Sequence, residues 1–397
     1  MNLRLAKRVQ LIKPSPTLTV TARAAALKAA GKDIIGLGAG EPDFDTPDHI
    51  KQAAIKAIQD GFTKYTAVDG TPGLKKAIIA KFRRENGLEY ALDQVLVSAG
   101  GKQSFYNLAQ ALLNAGDEVI IPAPYWVSYP DMVLLAEAEP VIVYAGIEQQ
   151  FKITPRQLGK AITPKTRLLV LNSPSNPTGA IYSEAELKAL GEVLRDHPQV
   201  LVVSDDIYEH ILLSDAPFCN ILNVCPELYD RTVVINGVSK SYSMTGWRIG
   251  YAAGPKQLIE AMKNIQSQST SNPASISQAA AQMALEGDQS FMKDWIRQFK
   301  ERHEFVVKEL NRIKGVQCLP SPGAFYSFPK MQGVIDGLSD IKDDVALAEY
   351  ILNETGVALV PGSAFGASGY MRLSFATSME NLREALARMQ KLLGTVN

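Results

Sequence analysis

The chain has 397 residues, 46% apolar and 21% charged, the composition of a globular protein long enough for two domains with sizeable cores. Its 41 basic and 41 acidic residues cancel, which excludes a global field that would draw nucleic acid or an anionic membrane, and no apolar run reaches the roughly 18 residues of a membrane span. Three cysteines without a CxxC pair (Cys219, Cys225, Cys318) exclude a zinc ribbon or a disulfide framework, fit a reducing cytoplasm and point to no metal.

The first stretch, MNLRLAKRVQLIKPSP, is basic and lacks the apolar segment of a secretory signal. It reads as an amphipathic arm that packs on a neighbouring chain. Short β-rich runs then alternate with helical patterns: QVLVSAG (94–100), DEVIIPAP (117–124), PVIVYA (140–145), RLLVLNSP (167–174), VLVVSDD (200–206), TVVINGVS (232–239) and RIGYAAG (248–254). Continuous apolar strands of this kind are buried on both faces, and helices such as 184–196 between them predict βαβ units. From Pro255 to Lys314 the pattern is helical. A smaller α+β unit follows, with GAFYSFP, GVALVPG, YMRLSFA and a last helix over 378–394. The expectation is an α/β fold with a mostly parallel sheet flanked by helices. A large domain covers 49–300, a C-terminal small domain 301–397, and residues 1–48 form an arm and part of the small domain. The cleft between the domains is the default site.

Ligands of open α/β sheets sit at the carboxyl ends of the strands, and the strand ends here carry chemistry. SAGGKQ places a glycine pair at a helix start, where backbone amides and the helix dipole can cradle a phosphate. NSPSNPTG can aim Asn176 into the cleft. SDDIYEH puts a carboxylate, Asp205 or Asp206, where burial demands a cationic partner; the alternative, preferred for Asp206, is that it caps a following helix. VSKSYSMTGWRIG ends a strand at Ser239-Lys240. Lys240 reads either as a solvated surface lysine or as a buried amine that forms a Schiff base, with Arg248 and the serines holding a phosphate beside it.

These motifs, with AGEPDFDTP (39–47), KYT…G…LK (64–75), PAPYWVSYP (122–130) and MRLSFA (371–376), resemble the class I aminotransferases of pyridoxal-phosphate transferase fold type I, in the bacterial aspartate aminotransferase branch that includes prephenate aminotransferases. The resemblance covers nearly the full length. It implies a seven-stranded, mostly parallel sheet, pyridoxal 5'-phosphate as cofactor, a cytoplasmic homodimer, and amino acids and 2-oxo acids as substrates. It makes Lys240 the Schiff-base lysine. Arg248, Ser239 and the amides of Gly101 and Lys102 hold the phosphate, joined by Tyr65 from the neighbouring subunit; the alternative for Tyr65 is a core tyrosine. Asp205 pairs with the ring nitrogen, Tyr208 and Asn176 bond the ring oxygen, and Trp126 stacks on the ring. Arg372 binds the substrate α-carboxylate beside Gly40, a task at which lysine is poorer. Lys102 meets the second carboxylate of aspartate, and Lys13 and Thr66 serve prephenate, giving arogenate. Many relatives carry serine or threonine where this chain has Gly237, which removes one phosphate hydroxyl. His210 reads as a partly buried polar residue that can support SDDIYEH, and no role falls to His49, His197 or His303.

Three other readings compete. A ligand-sensing regulator would need a DNA-binding segment, and only about 40 residues, with no basic helix-turn-helix, precede AGEPDF. A nicotinamide dehydrogenase would need the GxGxxG spacing that GLGAG (36–40) lacks. An aminotransferase of aromatic or neutral specificity, or a lyase on the same fold, would share every motif above.

Overall fold

The computed structural model describes residues 3–12, 14 and 16–395, the side chains of Pro16 and Leu18 excepted. Twelve strands are formed among them: β1 (Ile35–Gly36), β2 (Val95–Ser98), β3 (Glu118–Ala123), β4 (Glu139–Tyr144), β5 (Thr166–Asn172), β6 (Leu201–Asp205), β7 (Thr232–Gly237), β8 (Gly250–Ala253), β9 (Tyr326–Ser327), β10 (Val357–Ala358), β11 (Val360–Pro361) and β12 (Met371–Ser374). Seven of them make the central sheet, in the order β2-β8-β7-β6-β5-β3-β4. The ladders β4-β3, β3-β5, β5-β6 and β6-β7 are parallel, while β8 runs antiparallel to both β7 and β2. The sheet is therefore mostly parallel, with one reversed strand.

Every residue of β2, β7 and β8 is buried, as the continuous apolar runs require. Side-chain alternation sends Val95, Val97, Leu169 and Leu171 to one apolar cluster and Leu96, Leu168 and Val170 to another, one on each face. Edge strand β4 has no fully buried position. A third cluster collects Tyr326, Leu347, Leu373 and Leu386 around the antiparallel set β11-β12-β9 and the parallel pair β1-β10. The helix Phe291–Leu310 runs from one core to the other. Its Phe291 and Met292 pack on the sheet's cluster, and its Phe299, Val306 and Leu310 lie in the third. The boundary expected at residue 300 thus falls inside a continuous helix.

One local expectation is corrected. Asp206 does not cap a helix, because the chain after β6 makes turns instead. Its carboxylate is buried and accepts from the Ser204 hydroxyl at 2.7 Å and from Asn220 Nδ2 at 2.5 Å. Burial, with the Glu209 charge close by, pushes its pKa up to about 7.

Candidate active site

Parallel β5, β6 and β7 all end on one side of the sheet, and a cavity of about 370 Å³ opens there. Of the residues singled out from the sequence, Gly40, Gly101, Lys102, Trp126 and Asn176 line it, as do Asp205, Tyr208, Ser239, Lys240, Arg248 and Arg372. They come from points more than 300 positions apart in the chain, gathered by strand ends and the turns that follow them.

Lys240 is half-buried, and its Nζ donates to the Gly40 carbonyl at 2.6 Å. Desolvation lowers its pKa to about 8, with Arg372 and Arg248 pushing the same way and Glu41 opposing. The amine therefore faces the cavity rather than bulk solvent. Asp205 ends β6 with its side chain buried at the cavity wall. Tyr129 donates to Oδ2 at 2.5 Å and the Ile207 amide to Oδ1 at 3.3 Å. Burial raises the Asp205 pKa to about 6 against the pull of those bonds, and a cation brought beside it would lower it again and hold the carboxylate.

Next to Lys240, the helix Gly101–Leu112 starts at the cavity, and the first amides of a helix have no intrahelical acceptor. Arg248 reaches the same spot from a left-handed backbone (φ 56°), its Nη1 bonded to the Thr245 carbonyl at 2.8 Å. Glycine is necessary at two positions: Gly100 has a left-handed backbone (φ 87°), and a Cβ on Gly250 would strike the Gly101 amide. At Gly237 a Cβ would meet Gly250 Cα at 3.0 Å and the Ile249 carbonyl at 3.1 Å, so a side chain there would fit only if the β8 backbone gave way by a few tenths of an ångström.

Arg372, on β12, is buried. Its Nη1 donates to Asn176 Oδ1 at 2.9 Å and its Nη2 to the Gly38 carbonyl at 2.6 Å. The guanidinium lies 4.5 Å from the Tyr326 ring centre and 5.0 Å from that of Phe365, within cation–π range. Its Nε is buried without a hydrogen-bond partner among the described residues. Tyr208 and Tyr326 share a hydroxyl–hydroxyl bond of 2.8 Å at the cavity wall. Lys102 is exposed as a residue, but its Nζ sits 5.2 Å above the Trp126 ring. Partial desolvation, with Arg248 nearby, lowers its pKa.

Two expected residues, Tyr65 and Thr66, are not among those that line the cavity. Tyr65 is 91% exposed, which corrects the alternative that made it a core tyrosine. Thr66 beside it accepts from Gln278 Nε2 at 3.0 Å. Lys13 lies outside the described residues. Conversely, Tyr129, Tyr326 and Thr17 line the cavity without having been singled out. Tyr129 sits inside PAPYWVSYP, three residues after Trp126, and that spacing was the one available signal.

The fold and site together define a transferase of the aspartate aminotransferase architecture, fold type I of the pyridoxal-phosphate enzymes. Residues 32–389 match the family described as aminotransferase class I and II. The chain belongs to that family and is an aminotransferase. It is 62% identical to an aspartate/prephenate aminotransferase of Nitrosomonas europaea over 396 residues, covering 98% of this chain and 100% of that protein. It is 60% identical to one of Cereibacter sphaeroides over 383 residues, 96% of each. Among solved structures, an aspartate aminotransferase from Rhizobium meliloti superposes with a TM-score of 0.95 at 50% identity over the whole of both chains. One from Thermus thermophilus with maleate gives 0.92 at 43% identity, covering 98% of this chain and 100% of that one.

Proposed function

We propose that the chain uses pyridoxal 5'-phosphate to exchange the amino group between L-aspartate or L-glutamate and 2-oxoglutarate or oxaloacetate, and that prephenate is a further acceptor, yielding L-arogenate. The names of the relatives above support this substrate class. One observation carries it: a lysine amine lowered to about 8, a buried carboxylate, a helix start with an arginine, and a second, buried arginine with an unpartnered Nε all face one cavity. That donor set fits the cofactor and an α-carboxylate.

Arg248, Ser239 and the first amides of the helix Gly101–Leu112 would hold the phosphate. Asp205 would face the ring nitrogen, with its other oxygen fixed by Tyr129. Asn176 gives its Oδ1 to Arg372, so its Nδ2 remains to join Tyr208 at the ring oxygen, and Trp126 covers the ring face. When bound, the cofactor supplies an electron sink for the pair left on the substrate Cα. Lys240, neutral for part of the time near neutral pH, takes the proton from Cα and returns it. Arg372 grips the α-carboxylate with Nε and its remaining Nη hydrogens, next to the open backbone of Gly40. Lys102 meets the second carboxylate. In this reading the enzyme is a cytoplasmic homodimer. The exposed apolar residues of the arm (Leu3, Leu5, Val9 and Leu11), the nearly bare Tyr65 and three free, buried cysteines support it. The second copy brings Tyr65 to the phosphate with Thr66 beside it, and Lys13 of the arm that folds over the cleft joins Thr66 at the outer part of the acceptor.

A panel of donors and acceptors tests the proposal, with products read by mass spectrometry. Glutamate from aspartate and 2-oxoglutarate, and arogenate from prephenate, are expected. Turnover of aromatic or neutral amino acids with none of aspartate would overturn the specificity.

A further inference from the structure

Behind the cavity lies a second set of charged groups that the reaction does not use. Lys81 is completely buried at the end of the helix Pro72–Lys81. Its ammonium pairs with Glu209, donates to Asn86 Oδ1 at 2.8 Å and lies 3.6 Å from Glu85 Oε2. Glu209 also accepts from Asn236 Nδ2 at 2.6 Å and from Asn86 Nδ2 at 2.7 Å. His210 bonds Glu85 Oε2 through Nε2 at 2.8 Å and the Ser241 hydroxyl through Nδ1 at 3.0 Å. Ligand atoms of Glu85, Glu209 and His210 lie within 4.8 Å of one another, but the Lys81 ammonium already pairs with both carboxylates, which makes the set an ion-pair cluster.

Stability alone is a poor reason for such a cluster. A buried ion pair must overcome its own desolvation, and apolar residues of similar volume often hold a core equally well. The helix even distorts here. A π turn, Phe82–Asn86, follows Lys81 directly and carries Glu85 and Asn86, and π turns are frequent at functional sites. What the cluster joins is specific. Glu209 and His210 follow Tyr208 on the turn after β6, four and five residues past Asp205. Their partners Asn236 and Ser241 bracket Ser239 and Lys240 at the end of β7, and Asn236 Oδ1 also accepts from the Gly237 amide at 2.7 Å. Two bridges therefore tie the segment of Asp205 and Tyr208 to the segment of Lys240, one on either side of the lysine.

We propose that Lys81, Glu209 and His210 are positioning residues for transamination: the buried cluster fixes the Lys240 segment in register with the Asp205–Tyr208 segment. This rests on the roles given to Lys240 and Asp205 above. A displacement of about 1 Å at a reacting group can cost on the order of 100-fold in rate, so a tie remote from the substrate acts on turnover rather than on affinity.

The test compares the loaded parent enzyme with two variants. Lys81→Met/Glu209→Leu replaces the charged pair with apolar side chains. Ser241→Ala removes the His210 bridge and leaves the buried pair alone. Melting temperature, kcat, KM for aspartate and the pH midpoint of the bound cofactor's absorbance are measured. The double variant should lose about 10–100-fold in kcat and Ser241→Ala at least about threefold, each with KM within about threefold of the parent. The absorbance midpoint should move by about half a pH unit or more in both. If the double variant does not fold, Ser241→Ala decides alone. A folded variant with parental kcat and parental midpoint overturns the proposal, as does a change confined to KM. Lys240→Ala is the control for the underlying reading. If it keeps the parental absorbance, the role of Lys240 fails; if it abolishes that absorbance while the cluster variants change nothing, only the positioning proposal fails.

Discussion

Arg372→Lys keeps the positive charge and removes the planar fork. In the parent, Nη1 and Nη2 are committed to Asn176 Oδ1 and the Gly38 carbonyl, while the buried Nε is unpartnered. A lysine ammonium carries three donors on one atom and lacks the planar spread of the guanidinium. It can keep one of those acceptors or meet the substrate carboxylate, but cannot reproduce both. Loss of one charge-assisted bond costs about 1.5–3 kcal/mol, and one buried acceptor left without a donor about 1–3 kcal/mol more. The sum, about 2.5–6 kcal/mol, corresponds to roughly 10²–10⁴-fold in kcat/KM. The assay is steady-state exchange between aspartate and 2-oxoglutarate, with the bound cofactor's absorbance and the melting temperature as controls. A loss of less than about tenfold, with both controls normal, would show that another group grips the α-carboxylate.

Further outcomes are expected. Lys102→Ala should lower kcat/KM for aspartate by about tenfold or more while sparing neutral amino acids, because a charge-assisted bond serves only the second carboxylate and its exposure puts the effect at the lower end; equal losses would make Lys102 structural. Mixed dimers of Tyr65→Ala and Lys240→Ala protomers should recover activity that neither parent variant has, and no recovery in dimers shown to be mixed refutes a shared site. Desolvation lowers the Lys240 pKa to about 8, so the free-base fraction rises through that pH. Capture of pyridoxal phosphate by cofactor-free enzyme should reach half its maximum near pH 8 and level off about a unit higher; a rise continuing past pH 10, where an ordinary lysine titrates, would contradict the burial argument.

How much of this was legible beforehand follows from the range of each interaction. The strands of the sheet could be read because burial on both faces demands continuous apolar runs, a local property. Their spatial order and the reversal of β8 could not, since pairing across the sheet leaves no mark on one strand's composition. Asp206 was misread because the capping rule looks only at the residues that follow, and the partner that holds it, Asn220, is 14 positions away. The Asp205–Tyr129 bond spans 76 positions and the Lys81–Glu209 pair 128. No spacing rule reaches that far, so both came only from the fold. Of the eleven expected residues in the cavity, Gly101, Lys102, Asn176, Asp205, Ser239, Lys240 and Arg248 sit in short motifs at strand ends, where the chain order itself marks the cleft, whereas Gly40, Trp126, Tyr208 and Arg372 came from the family resemblance. Tyr65 and Thr66 mark the opposite limit: within one chain they are not among the residues that line the cavity they are expected to serve.

Thr66 carries the last prediction. Its hydroxyl donates to the Ala67 carbonyl at 3.1 Å and accepts from Gln278 Nε2 at 3.0 Å. Gln278 is completely buried and also binds the Thr71 amide at 2.8 Å and the Pro273 carbonyl at 2.8 Å, so the loop is held from below by one side chain. With its proton and one lone pair committed, Thr66 has one lone pair left to offer. It can accept from a donor and cannot serve a carboxylate. Prephenate carries a hydroxyl that donates, whereas oxaloacetate and 2-oxoglutarate carry only acceptors at their far ends. If the second copy brings Thr66 to the outer cavity, its substitution should be felt with prephenate alone. Thr66→Val keeps the shape; besides the two bonds within the loop it removes one neutral hydrogen bond to prephenate, about 0.5–1.5 kcal/mol, or roughly 2–13-fold in kcat/KM for prephenate. Gln278 Nε2 keeps the Pro273 carbonyl in the variant, which preserves the loop. Turnover of aspartate with 2-oxoglutarate should therefore stay within about twofold of the parent. Equal losses with both acceptors would mean that the substitution disturbs the loop, and an unchanged rate with prephenate would mean that its hydroxyl is met elsewhere.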